Sequence, residues 1–141
     1  MSLPSDLMDF AGIWRIHREI DFTDRDTHAR FLGEASLTPH GTGLIYSETG
    51  ELRLGQAPPM RAERRYLWEP SDTGGIATFF DDGRPFHVFT LNAASQATHK
   101  CPPDTYRVAY AFHDWPAWTA TWAVTGPKKA YTMVSLYTRP A

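Results

Sequence analysis

One cysteine in 141 residues leaves Cys101 no partner for an intrachain disulfide, which argues against a disulfide-stapled secreted module. No apolar run approaches the roughly 20 residues of a membrane-spanning helix. The amino end, Met1-Ser2-Leu3-Pro4-Ser5-Asp6, lacks both the basic patch and the long apolar run of a signal peptide, so a cytoplasmic location is expected. An excess of one charge is missing too. The 14 basic and 16 acidic residues leave a net charge of −2 and a pI near 6.3, which argues against a broad nucleic-acid surface. Glu63 and Glu69, interleaved with Arg61, Arg64 and Arg65, argue the same way. Helix signals are scarce: a short amino-terminal turn at Pro4–Ala11, with Ser5 as its cap and Met8 where a capping box would place Glu or Gln. Gly-x-Ser-x-Gly, a phosphate loop and His-Glu-x-x-His are all absent.

What the chain does have is aromatic mass and alternation. Its 5 Trp, 6 Tyr and 8 Phe sit within a 42% hydrophobic composition, enough for a real core in one domain spanning residues 1–141. From Gly12 onward the text alternates apolar with polar and breaks at Gly, Pro, Asn and Asp, as half-buried strands do. Strands are predicted near residues 12–22, 28–37, 42–53, 60–69 and 75–80. Further ones are predicted near 86–91, 97–101, 104–112, 117–125 and 130–139. Asp82-Gly83 reads as a primed hairpin turn in which both residues take positive φ. Closing such a meander removes exposed edges, so the expectation is all-β: an antiparallel up-and-down barrel of eight to ten strands. One face of each strand then lines a lumen. Ala29, Gly33, Ala35, Gly50 and Ala120 fall on those faces and are expected to leave room for a ligand.

Gly12-Ile13-Trp14 on the first strand, with Arg139 ending the last, resembles the lipocalin and wider calycin signature. The resemblance implies that Trp14 closes the barrel's bottom beneath Arg139, a cation–π pairing worth about 0.5–2 kcal/mol. Pro103-Asp104-Thr105-Tyr106 is similar to a second lipocalin motif with one residue inserted. The strand number is similar to that of fatty-acid-binding proteins and haem-binding nitrobindins, though no two-helix lid follows the first strand. Asp82-Gly83-Arg84-Pro85-Phe86-His87, His99-x-Cys101-x-x-Asp104-x-Tyr106 and Gly126-Pro127-x-Lys129-x-Tyr131 together resemble a bacterial domain family of unknown function. That likeness runs over nearly the whole chain and implies no activity.

Two constellations carry chemistry. Arg18 and Glu48 fall on lumen faces, where an unpaired charge is costly; either they pair with each other, or Arg18, with Arg64 and Tyr66, offers a fork to an anionic ligand. Arg64-Arg65 leaves the register there open by one residue. His87, His99 and Cys101, placed across one hairpin, read either as a hydrogen-bonded structural cluster or as candidate zinc ligands with Asp104 as a fourth ligand or the partner behind them. A neutral His87 or His99 could serve haem. The same His87, Cys101 and Asp104 are the candidates for thiol catalysis. The reading favoured over an enzyme, or over a barrel packed shut, is non-catalytic binding of a small amphiphile. Tyr46, Tyr66, Tyr106, Trp118, Trp122 and Tyr131 would form walls; Arg18, Glu48, His87 and His99 would hold the polar end. No cofactor or nucleic-acid partner is expected, and a homodimer completed across an edge strand stays open.

Overall fold

In the computed structural model, which describes residues 2–23 and 25–141, the alternation becomes pleat. Along β1 (Gly12–Phe22), Trp14, Ile16, Arg18 and Ile20 are buried while Arg15 and His17 face out. Nine more strands follow: β2 (Thr27–His40), β3 (Gly43–Leu54), β4 (Met60–Pro70), β5 (Ile76–Phe80), β6 (Pro85–Phe89), β7 (Ala94–Cys101), β8 (Asp104–Ala111), β9 (Trp118–Thr125) and β10 (Ala130–Thr138). They form one antiparallel sheet in the order β6-β5-β4-β3-β2-β1-β10-β9-β8-β7. Pairing of β1 with β10, Arg18 opposite Ser135, carries the sheet round into a nearly closed up-and-down barrel. Among the described residues no helix is long and apolar enough to cross a membrane.

The closure is incomplete at β6 and β7, which end the sheet without a ladder between them. The expected His87–His99 hairpin therefore does not exist. Side chains bridge the seam instead: Thr90 donates to Ser95 Oγ from N at 2.9 Å and from Oγ1 at 3.1 Å, and the Phe86 ring meets His99 edge-on at 5.2 Å.

Three other local expectations are corrected. The amino-terminal turn is a 3₁₀ helix, Leu7–Phe10, capped by Asp6 rather than Ser5. Asp6 accepts from Met8 N at 2.8 Å, and the Asp9 carboxylate reaches back to Asp6 N, so the capping box lies one residue later than read. At the β5–β6 hairpin only Gly83 has positive φ (91°), and Gly83 N donates to Phe80 O. Asp82 spends its carboxylate on Arg84 N and Nε, so the loop is a tight turn followed by a left-handed glycine. Finally, Gly33 and Gly50 leave no space. They are register partners, and a Cβ on either would lie 2.3 Å from a backbone carbonyl and 2.8 Å from Phe31 Cζ. The Phe31 ring occupies the room their missing side chains provide.

One barrel end is solid. Phe10 enters it from the 3₁₀ helix and packs edge-on against Trp68, Trp118, Phe112 and Trp115 at centroid distances of 4.9–5.8 Å. Trp115, which the sequence places in a loop, thus joins the plug. Trp14 Nε1 donates to Phe10 O at 2.9 Å, and the Arg139 guanidinium lies 3.7 Å over the Trp14 ring. Arg139 also donates to Asp9 O and Ala11 O at the end of the short helix and to Ile13 O at the start of β1, each at 3.1 Å.

Candidate functional site

Because the meander alternates direction, the β5–β6, β7–β8 and β9–β10 turns all gather at the end away from Trp14. A cavity of about 800 Å³ opens among them and runs inward to Trp118 and Tyr137. That is within the roughly 300–1,000 Å³ of small-molecule sites. Of the small residues expected to make this space, only Ala120 lines it.

Deep in the cavity the charged groups are already matched, whereas the buried Trp118 Nε1 has no hydrogen-bond partner among the described residues. Arg18 donates to Glu48 twice, at 2.7 and 3.0 Å, to Ser135 Oγ at 2.6 Å and to Tyr137 Oη at 3.4 Å. Tyr46 donates its proton to Glu48, so Tyr137 donates to Tyr46 across 2.8 Å. Burial pushes the Glu48 carboxyl up, but the Arg18 hydrogen bond and charge together with Tyr46 leave it below the usual carboxylate value. Burial likewise works against the Arg18 charge, and the surrounding Tyr137 and Glu48 overcome it. The pair is 6% and 4% exposed, and each of the three guanidinium nitrogens is hydrogen-bonded. Arg18 is therefore not a free fork for a ligand.

His87 is likewise committed. Thr78 Oγ1 donates to His87 O, so His87 Nδ1–H donates to Thr78 Oγ1 at 2.9 Å, and Tyr110 donates to Nε2 at 2.8 Å. Burial, then repulsion from His99, holds its pKa down to about 3, so the ring is neutral. The candidate metal set does not assemble: among the described residues no three His, Cys, Asp or Glu side chains come together to hold an ion. Cys101 is exposed at the rim, and Asp104 faces Lys129 Nζ at 3.4 Å. His99 packs against Phe80, Phe86 and Tyr106. Both His87 nitrogens are engaged, so His87 is not free to activate Cys101. Iodoacetamide is expected to alkylate Cys101 in the folded protein at the same rate in wild type and His87→Ala. A slower rate in the variant would restore the thiol-enzyme reading.

The mouth is where cations gather. Arg64 on β4 stands opposite Glu48 in register, which resolves the Arg64-Arg65 ambiguity: Arg64 lines the cavity and Arg65 pairs outward with Asp81 at 3.7 Å. Arg64 has no carboxylate within ion-pair distance among the described residues. Arg84, Lys100 and Lys129 join it at the rim. Rings form the walls. Phe86 lies near-parallel to Phe80 (4.4 Å, 25°), Trp122 (5.2 Å, 14°) and Tyr66 (5.7 Å, 25°). Tyr106 and Tyr131 complete the outer wall.

Phe86 was missed in the sequence because strict alternation sends it opposite to His87. The β5–β6 register explains the difference: Phe79 pairs with Pro85 and Thr78 with His87, leaving Phe86 as an extra, bulged residue. A bulge re-aims one side chain, and here two consecutive residues, Phe86 and His87, face the cavity. The rim cations Arg84, Lys100 and Lys129 sit in or beside turns, where period-two patterns say nothing.

The fold is shared with a structure of the S-type phycobiliprotein lyase CPES from Guillardia theta. It aligns with a TM-score of 0.68 at 7% identity, covering 96% of this chain and 90% of that one. A redesigned β-barrel, mFAP1, bound to DFHBI, aligns at a TM-score of 0.44 and 9% identity, covering 96% of this chain and 100% of that one. No curated protein matches the sequence. Residues 10–139 match a family of unknown function, DUF6314, and the chain belongs to it.

Proposed function

We propose that this DUF6314 barrel, one domain over residues 1–141, binds a small amphiphilic molecule in its lumen without transforming it. The observation that carries the reading is the 800 Å³ cavity itself, walled by Tyr66, Tyr106, Trp122 and Tyr131 and closed below by the aromatic plug. Apolar walls with a few polar groups are the composition of ligand sites. Arg64 and His99 are the polar groups with capacity for a ligand; Arg18, Glu48 and His87 shape the floor from behind. The catalytic alternative loses its acid–base pair, since His87 is occupied and Asp104 faces Lys129. The exposed, unpaired Cys101 fits a reducing, cytoplasmic setting.

Trp122 lies half-buried on the cavity wall and reports directly on occupancy. Titration with dodecanoate and with 2-naphthoate is expected to change tryptophan fluorescence saturably, with one site per chain. Trp122→Phe should remove most of the change, whereas Trp115→Phe, in the plug, should not. Absence of saturable change with both compounds, together with no thermal shift, would reject lumen binding.

A further inference from the structure

We propose that the ligand of this lumen is a planar aromatic anion whose charged group is received by Arg64 at the mouth. The inference rests on the lumen-binding reading above and adds the ligand's chemical class. Its first support is charge. The whole chain carries −2, yet the cavity is lined by five cations, Arg18, Arg64, Arg84, Lys100 and Lys129, against one carboxylate, Glu48. Glu48 is consumed by Arg18. Asp82 engages Arg84 at 2.7 Å and Asp104 faces Lys129 at 3.4 Å, both from the rim. Arg64 hydrogen-bonds Tyr66 and shares the field of Glu48 with Arg18, and neither it nor Lys100 has a carboxylate of its own within ion-pair distance among the described residues. A site so biased attracts anions and repels cations before any contact forms.

Arg64 is the better placed of the two. It projects from the middle of a long strand whose neighbour in register is the buried Glu48, whereas Lys100 stands near the end of β7, next to the turn. A guanidinium also offers a planar, two-pronged donor that matches carboxylate or sulfonate. The second support is shape. Phe86 stacks on Tyr66, Phe80 and Trp122 within 25°, so these wall residues form one pack of like-oriented rings, although Tyr66 and Phe80 are 49° apart. Near-parallel faces favour a flat, rigid guest over a flexible chain, because stacking is gained without ordering many torsions.

The test compares 8-anilinonaphthalene-1-sulfonate with N-phenyl-1-naphthylamine, which has the same rings and no charge. The sulfonate is expected to bind wild type about tenfold more tightly, the order of one charge-assisted contact. Arg64→Gln should erase that preference while leaving the amine's affinity within about twofold. Arg65→Gln, the outward neighbour, should change neither. In competition, 2-naphthoate should displace the sulfonate at lower concentration than dodecanoate does. Equal binding of the two probes to wild type, or equal weakening of both by Arg64→Gln, overturns the anion assignment while lumen binding stands. A sulfonate preference that survives Arg64→Gln removes the role of Arg64. More effective displacement by dodecanoate overturns the planar class. If neither probe binds with one site per chain, the lumen-binding reading itself fails.

Discussion

Glu48→Gln is expected to cost the protein about 3–5 kcal/mol, measured by urea denaturation, because it strands the Arg18 charge in a buried site. The substitution preserves shape and removes only the charge. Arg18 Nη1 and Nη2 would face a neutral amide at 2.7 and 3.0 Å, and Tyr46 would lose its carboxylate acceptor. Against a typical total of about 5–15 kcal/mol, such a loss leaves a marginal fold. Paired removal should behave differently. Arg18→Met with Glu48→Leu is expected to lie closer to wild type than either single change, since a buried ion pair replaced by apolar groups recovers its desolvation cost. A loss below about 1 kcal/mol for Glu48→Gln would show that water reaches the pair.

Acid should expose the same network. The folded-state pKa of Glu48 lies below its ordinary value of 4.5, so its contribution is present above pH 4.5 and is lost as pH falls below that. His87 acts over a higher window. Its folded pKa near 3 lies below the ordinary 6.5, so the unfolded chain gains a proton first as pH drops. Stability is expected to decline from pH 6.5 towards 3, by about 1.4 kcal/mol per pH unit where His87 dominates. His87→Gln should flatten the decline between pH 6.5 and 4.5 and leave the steeper loss below it.

The strands were legible because one buried face per strand forces period-two text, and Trp14, Ile16, Arg18 and Ile20 obey it without interruption. The Arg18–Glu48 pairing was legible for a related reason: charge on an apolar face demands a partner. Geometry that breaks period two was hidden. The bulge at Phe86 reverses the side-chain order for one residue, and no propensity marks it. Gly33 and Gly50 looked like vacancy because the Phe31 ring that covers them projects from a position two residues away on the same face. The metal-like trio rested on a β6–β7 hairpin; short connection usually means pairing, but here those strands are the two ends of one sheet.

Trp14→Ala is expected to cost about 3–5 kcal/mol, comparable to breaking the ion pair but by a different route. Trp14 is fully buried, touches Phe10, Trp115 and Trp118, and its indole satisfies Phe10 O. Truncation leaves a cavity in the plug and frees a buried carbonyl. Arg139→Met, which keeps the aliphatic stem, should cost less, about 1–2 kcal/mol, since the cation lies near the surface and its three carbonyls can turn to water. Gly12→Ala separates the two contributions. Its φ of 111° disfavours a side chain, and the new Cβ would lie 3.0 Å from Arg139 Nη1, so alanine strains the backbone and displaces the guanidinium together. Gly12→Ala in an Arg139→Met background should therefore cost less than in wild type, by the share that belongs to the collision. Equal costs in both backgrounds would assign Gly12 wholly to backbone conformation, and a Trp14→Ala loss under about 1 kcal/mol would mean the plug repacks and does not close the barrel.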